Sequence, residues 1–183
     1  WGPHVHLSGY WFPEEPDWQR PDDLHHFLEA GPPPVFVSFG SMPLRQPEEV
    51  TATVLQALKL SGKRGILGAA WGCIGDGDLP ADVLRIEYAP YSWLFPRMAA
   101  VVHHGGSGTT AFGLRAGVPS LVVPFVFDQF YWGRRIAELG VGPVPLSFDK
   151  LTARGLATAI DEAVSDGEMR QRARALGDRI RAE

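Results

Sequence analysis

The segment His103–His104–Gly105–Gly106–Ser107–Gly108–Thr109–Thr110 gathers residue types that can hold an anion without a lysine. Its three glycines let backbone amides converge on one point, and Ser107, Thr109, Thr110 and a histidine add side-chain donors. The residues that follow read as a helix, Ser107–Arg115. The first amides of a helix lack partners, and its dipole is positive at that end. The combination describes an anion site at a helix N-terminus, built from one of the two histidines, Gly106, Ser107, Gly108 and Thr109. A P-loop would need Gly-Lys-Ser/Thr, and no lysine lies in the segment. Gly106–Ser–Gly108–Thr–Thr–Ala111 does match a dinucleotide fingerprint, with Asp128 downstream as its acid. That fingerprint normally opens the first βαβ unit. Here the loop follows about four strands, and Phe125–Phe127 separates the strand from Asp128, so NAD remains the secondary reading.

Three further places carry candidate chemistry. Asp128–Gln129 sets a carboxylate beside an amide, a pair suited to vicinal hydroxyls; Asp128 also reads as an ordinary helix N-cap. Gly40–Ser41 offers close backbone approach and a hydroxyl, or else an ordinary tight turn. Tyr88–Ala–Pro–Tyr–Ser–Trp–Leu–Phe95 supplies aromatics that can stack on a flat base or simply pack in a core. Diphosphate recognition beside hydroxyl recognition is what a nucleotide sugar requires.

These residues need elements to position them. Val35–Phe39, Gly65–Ala70, Val83–Tyr88, Ala99–His103, Pro119–Phe125 and Gly142–Leu146 read as strands, from their β-branched and apolar runs. Helical spacing appears over Glu48–Leu60, Ser107–Arg115, Tyr131–Leu139, Thr152–Val164 and Gly167–Arg181, and Asp22 is placed to cap a short helix through Leu28. Strands alternating with helices predict an α/β fold: a Rossmann-like, doubly wound parallel sheet with helices on both faces. Ligands of such sheets sit at the carboxyl ends of the strands, where every candidate above lies. Residues 1–21, dense in proline and aromatics, read as an extended linker segment, and residues 22–183 as the nucleotide-sugar-binding domain.

Composition narrows the partners. With 183 residues, 45% hydrophobic and 21% charged, the chain can bury a core. A net charge of −4 argues against bulk attraction to nucleic acid. No apolar run is long enough to cross a bilayer, and no signal peptide opens the chain. Its single cysteine, Cys73, cannot form an internal disulfide, which points to the cytoplasm. The start at Trp1 suggests a piece of a longer protein. No metal motif is evident beyond Asp76–Gly–Asp78, which reads as a loop.

The stretch from His103 through Gly117–Val–Pro119 to Pro124–Phe–Val–Phe–Asp128–Gln129–Phe–Tyr–Trp132–Gly133 resembles the donor-domain signature of family 1 glycosyltransferases. The branch it is most similar to is that of sterol 3-beta-glucosyltransferases and bacterial antibiotic glycosyltransferases. Val37–Ser–Phe–Gly–Ser41, Tyr88–Phe95 and the opening His6–Leu–Ser–Gly–Tyr–Trp–Phe12 fit the same branch. The resemblance implies the C-terminal half of a two-domain GT-B fold and inverting transfer from a UDP-sugar, often UDP-glucose, to a hydroxyl of a lipid, sterol or other hydrophobic acceptor. It implies that an N-terminal domain binds the acceptor and carries the general-base histidine, and that the full-length enzyme works at the membrane periphery. It gives the diphosphate to His104, Thr109 and the helix amides, sugar hydroxyls to Asp128 and Gln129, a place near the donor to Ser41, and the base to Tyr88–Ala89. The UDP-sugar is then a substrate, and no cofactor is implied. One departure stands out: Ser107–Gly108 and Phe112 occupy the places of a Trp-Asn pair and a ribose-binding glutamate in plant members. A rival reading from another class is a non-catalytic nucleotide-sugar-binding module or auxiliary subunit.

Overall fold

A computed structural model describes residues 2–6, 8–40, 46–69, 75 and 77–183. Five strands form one sheet: β1 (Val35–Ser38), β2 (Gly65–Gly68), β3 (Val83–Ile86), β4 (Ala100–His103) and β5 (Ser120–Val122). Their order is β3-β2-β1-β4-β5, and every neighbouring pair is parallel. The helices are α1 (Asp22–Glu29), α2 (Pro47–Ser61), α3 (Tyr91–Leu94), α4 (Ser107–Ala116), α5 (Gln129–Glu138), α6 (Ala153–Ser165) and α7 (Gly167–Arg181).

Side chains alternate across the sheet, so each strand feeds two cores. Val35, Val37 and Phe39 join Val54 and Leu58 of α2 and Leu156 and Ile160 of α6 on one face. Phe36 joins Leu24 of α1, Leu94 of α3 and Val101 on the other. Both faces are therefore covered, as a parallel sheet demands, and β1, β2, β4 and β5 are buried at every position.

Several boundaries follow local chemistry. Pro47 opens α2, where the missing amide costs nothing, and Gly62 closes it in a left-handed turn. Thr152 caps α6 by accepting from the Gly155 amide at 3.1 Å. Asp166 caps α7 through the Glu168 and Met169 amides, both at 2.9 Å. Two expectations are corrected. Asp22 does not cap α1: Pro21 holds the cap position without a side-chain bond, and Asp23 accepts from the Leu24 amide at 2.7 Å. Gly142–Leu146 is not a strand. Pro143 and Pro145 have no N–H to give a ladder, and the segment meets the sheet through one bond, from the Leu146 amide to the Val122 carbonyl at 3.0 Å.

The linker region runs without helix or strand over its described residues and leans on the domain through rings. Phe12 meets Phe112 at 5.2 Å, Trp18 meets Trp93 at 5.0 Å, and Tyr10 meets Trp132 at 6.2 Å between centroids. Behind α4, the last helix approaches backbone to backbone. A Cβ on Gly177 would stand 2.7 Å from the Gly117 Cα, so only glycine fits there. Arg181 also donates to the Arg115 carbonyl at the end of α4.

Candidate functional site

The strand order reverses between β1 and β4, the pair whose connections leave in opposite directions. The crevice at the carboxyl ends of those strands is where such sheets take ligands. Gly40 follows β1 and His104–Gly106 follows β4, so the topology brings both candidate loops together.

The loops meet at His104. A Cβ on Gly40 would lie 2.6 Å from His104 Cε1, and a Cβ on Gly106 would lie 2.4 Å from His104 Nε2. The imidazole is thus wedged between two glycines, one from each loop. Its Nδ1 is buried and has no hydrogen-bond partner among the described residues. Burial lowers the His104 pKa below the usual histidine value, and the Asp128 carboxylate pulls it partly back.

His103 does a different job. It is fully buried, and its Nδ1 accepts the Gly105 amide at 3.0 Å. That bond makes Nδ1 the unprotonated nitrogen and sets the proton on Nε2. Burial, with His104 nearby, pushes its pKa down to about 3, so the ring is neutral. Gly105 turns there with φ 90°, and a Cβ would be 2.7 Å from Val122 Cγ1. His103 therefore shapes the turn, while His104 faces the crevice.

Gly106 is the N-cap of α4 and carries no side chain to cap it. The first bond of the helix runs from the Thr110 amide to the Gly106 carbonyl at 2.9 Å. The amides of Ser107, Gly108 and Thr109 have no acceptor among the described residues. Ser107 and Gly108 are exposed, and nothing lies within 4 Å of a Cβ placed on Gly108. The helix thus presents open donors and its positive end to the crevice. Thr110, expected as a further donor, is instead fully buried in the second half of the first turn, with Oγ1 turned into the protein.

Asp128 and Gln129 separate. Asp128 is exposed, accepts from Trp132 Nε1 at 3.0 Å, and lies close enough to influence His104 and Tyr10. It occupies the N-cap position of α5 but makes no side-chain cap bond. Gln129 is buried, and its Oε1 accepts the Phe125 and Val126 amides at 2.8 and 3.1 Å. Only its amide end is left for a ligand. Between Phe125 and Asp128 the chain passes through Phe127, the one non-glycine residue with positive φ (54°) among those described.

Beside this cradle, at the ends of β1, β2 and β3, lies a cavity of about 330 Å³. Gly40 lines both the cavity and the His104 wedge. Ala89 forms part of its wall and is buried; Tyr88 is 55% exposed at its rim. The Tyr88 hydroxyl donates to Glu15 Oε1, and that bond raises the tyrosine pKa to about 12. Ser38 Oγ accepts the Gly40 amide at 3.3 Å and donates to the Gly68 carbonyl at 3.3 Å, tying β1 to β2 at the cavity floor. Sequence reasoning missed Glu15 and Ser38. Ser38 had a signal in its place just before Phe39–Gly40; Glu15 had none, being 73 residues from its partner. Ser41, Trp71, Cys73 and Asp76 lie outside the described residues. Among the described residues no group of three or more His, Cys, Asp or Glu side chains could hold a metal, and no helix is long and apolar enough to cross a membrane.

Known proteins are similar to this chain in sequence and fold. Residues 74–183 match the family described as erythromycin biosynthesis protein CIII-like, C-terminal domain. A sterol 3-beta-glucosyltransferase of Arabidopsis thaliana is 44% identical over 163 residues, which is 87% of this chain and 26% of that protein. The O-mycaminosyltylonolide 6-deoxyallosyltransferase of Streptomyces fradiae is 40% identical over 184 residues, 100% of this chain and 43% of that protein. The chain thus spans less than half the length of these relatives. Among solved structures, the glycotransferase of kitacinnamycin superposes with TM-score 0.73 at 27% identity, covering 91% of this chain and 41% of its own. The calicheamicin glycosyltransferase CalG4 gives 0.71 at 26%, covering 92% and 41%. With its parallel sheet, its glycine-wedged histidine and this family match, the chain belongs to the erythromycin biosynthesis protein CIII-like C-terminal domain family, a glycosyltransferase family of GT-B fold.

Proposed function

We propose that this chain is the donor-binding half of an inverting glycosyltransferase that moves a sugar, glucose by preference, from a UDP-sugar to a hydroxyl of a lipid, sterol or other hydrophobic acceptor. The observation that carries the reading is the His104 imidazole held between Gly40 and Gly106, beside the open amides of Ser107–Thr109. As the bond between the sugar C1 and the diphosphate breaks, the leaving UDP gains negative charge. Amides already aimed at that point, the positive end of α4 and His104 stabilise the charge without reorganising. Asp128 beside His104 is placed to accept from sugar hydroxyls, with the Gln129 amide end as a donor. The adjoining cavity, with Ala89 in its wall, takes the base.

The acceptor and the general base come from a domain outside this chain. The chain's span of 26–43% of its matched relatives supports that division. The whole enzyme works in the cytoplasm, at the membrane periphery when its acceptor is a lipid, and uses no cofactor. Isothermal titration calorimetry with UDP and dTDP tests the reading: UDP binds this chain weakly, and the chain alone transfers no sugar. Absence of both heat and thermal shift at millimolar UDP overturns it.

A further inference from the structure

The cavity beside the cradle has an apolar floor and one polar wall drawn from outside the domain body. Phe36, Ala89, Tyr91 and Phe112 give the floor; Glu15 and Pro13, from the linker, close the rim. Glu15 is exposed, but its carboxylate is not loose. Tyr88, itself at the rim, donates its hydroxyl to Oε1. The other oxygen, Oε2, has no hydrogen-bond partner among the described residues. Glu87 lines the same cavity but no bond holds its carboxylate. A group fixed before binding loses less on binding, which favours Glu15 as the working acceptor.

A carboxylate only accepts hydrogen bonds and repels phosphate. What it suits is a pair of hydroxyl donors. A nucleotide reaching from the cavity past Gly40 to the start of α4 carries its base on the apolar floor and its phosphates on the helix. The pentose between them falls at the rim. Resting on the nucleotide-sugar reading above, we infer that Glu15, oriented by Tyr88, receives the 2′- and 3′-hydroxyls of the donor's ribose and so selects ribonucleotide over 2′-deoxyribonucleotide donors. Glu15 is then a specificity-determining residue, and Tyr88 a positioning residue that acts through it.

The test is calorimetry on the full 183-residue chain with UDP and 2′-deoxy-UDP. The wild type binds UDP about tenfold more tightly, the worth of one charge-assisted hydrogen bond. Glu15→Gln weakens UDP by more than it weakens 2′-deoxy-UDP, which keeps only the 3′-hydroxyl contact, and so removes the preference; Tyr88→Phe moves part of the way. A melting curve of each variant matching the wild type shows that the linker has not come away. Equal wild-type affinities, a preference that survives in Glu15→Gln, or equal weakening of both nucleotides, as a contact to the base would give, each overturns the inference while leaving the donor-site reading intact. Failure of the wild type to bind either nucleotide overturns that reading itself, and this inference with it.

Discussion

The two ends of the sheet make a useful pair. A cavity of about 460 Å³ lies at the amino ends of the strands and is lined by Lys63, Arg64, Arg170 and Arg174. By size and charge it is the more obvious anion site. Two of its four cations, however, already have work, and Arg170 and Arg174 stand exposed at its edge. Lys63 Nζ faces Asp161 at 3.3 Å, and Arg64 donates to the Pro32 carbonyl at 3.0 Å and to the Phe27 carbonyl. Helices α2 and α4 end there, at Gly62 and Gly117, so positive side chains answer the negative ends of two dipoles. The carboxyl end has a smaller cavity and no lysine or arginine in its cradle, yet it holds open amides and an unpartnered imidazole nitrogen. What distinguishes the carboxyl end is unmet hydrogen-bonding capacity on fixed groups, backbone amides and a buried imidazole nitrogen, rather than volume or charge count.

The sharpest way to break this contrast is Gly106→Ala. The backbone at Gly106 (φ −59°, ψ 139°) accepts alanine, so the consequence is a methyl group only 2.4 Å from His104 Nε2, which the ring must move to relieve. On its other side the ring lies against Gly40, where a Cβ would come within 2.6 Å of Cε1. UDP affinity falls by about 100-fold in calorimetry, from losing the imidazole and disturbing the amides behind it; retained affinity would show that His104 is a bystander.

The two histidines sharpen the contrast within one loop. His104→Ala weakens UDP by about 10- to 100-fold, one charge-assisted bond, with little change in melting temperature. His103→Ala does the reverse: it destabilises by about 2–3 kcal/mol through an internal void and a lost bond to Gly105, and weakens UDP much less. Equal affinities for the two variants would end the division of labour.

Acid separates them again. Below the ordinary histidine pKa near 6.5, the unfolded chain protonates His103 while the folded chain resists until about pH 3. The unfolded state binds more protons across that window, so stability falls as pH drops from about 6.5 toward 3. In His103→Asn, where Oδ1 can replace Nδ1 as acceptor, this part of the acid loss disappears from melting curves measured against pH. The smallest effect belongs to the other end of the sheet. Arg170→Ala/Arg174→Ala leaves UDP affinity within about twofold, as distant exposed charges should.

The architecture was legible from sequence because each central strand is a short run of β-branched or aromatic residues between turn residues, as in Val35–Phe39. Gly142–Leu146 looked similar by hydropathy, but ladder bonds need N–H groups, and its two prolines lack them. The cradle was legible because its donors are consecutive in the chain. The roles inside it were less so. Nothing in the string of letters shows that Thr110 points inward, or that Gln129 spends its carbonyl on the Phe125–Val126 turn. Those outcomes depend on which side of a helix faces the sheet. The pairing of Glu15 with Tyr88 joins segments with no shared pattern, and only the folded chain reveals it.

The close approach of Gly117 and Gly177 bears on how a ligand would be met. With its far end pressed against a second backbone, α4 cannot slide along its own axis when an anion docks at its start. The rigidity of the docking point is then a product of folding, complete before any ligand arrives, and little ordering is left for the encounter itself. The C-terminal helix, which touches no part of the crevice's wedge, is in this sense the anvil behind the start of α4.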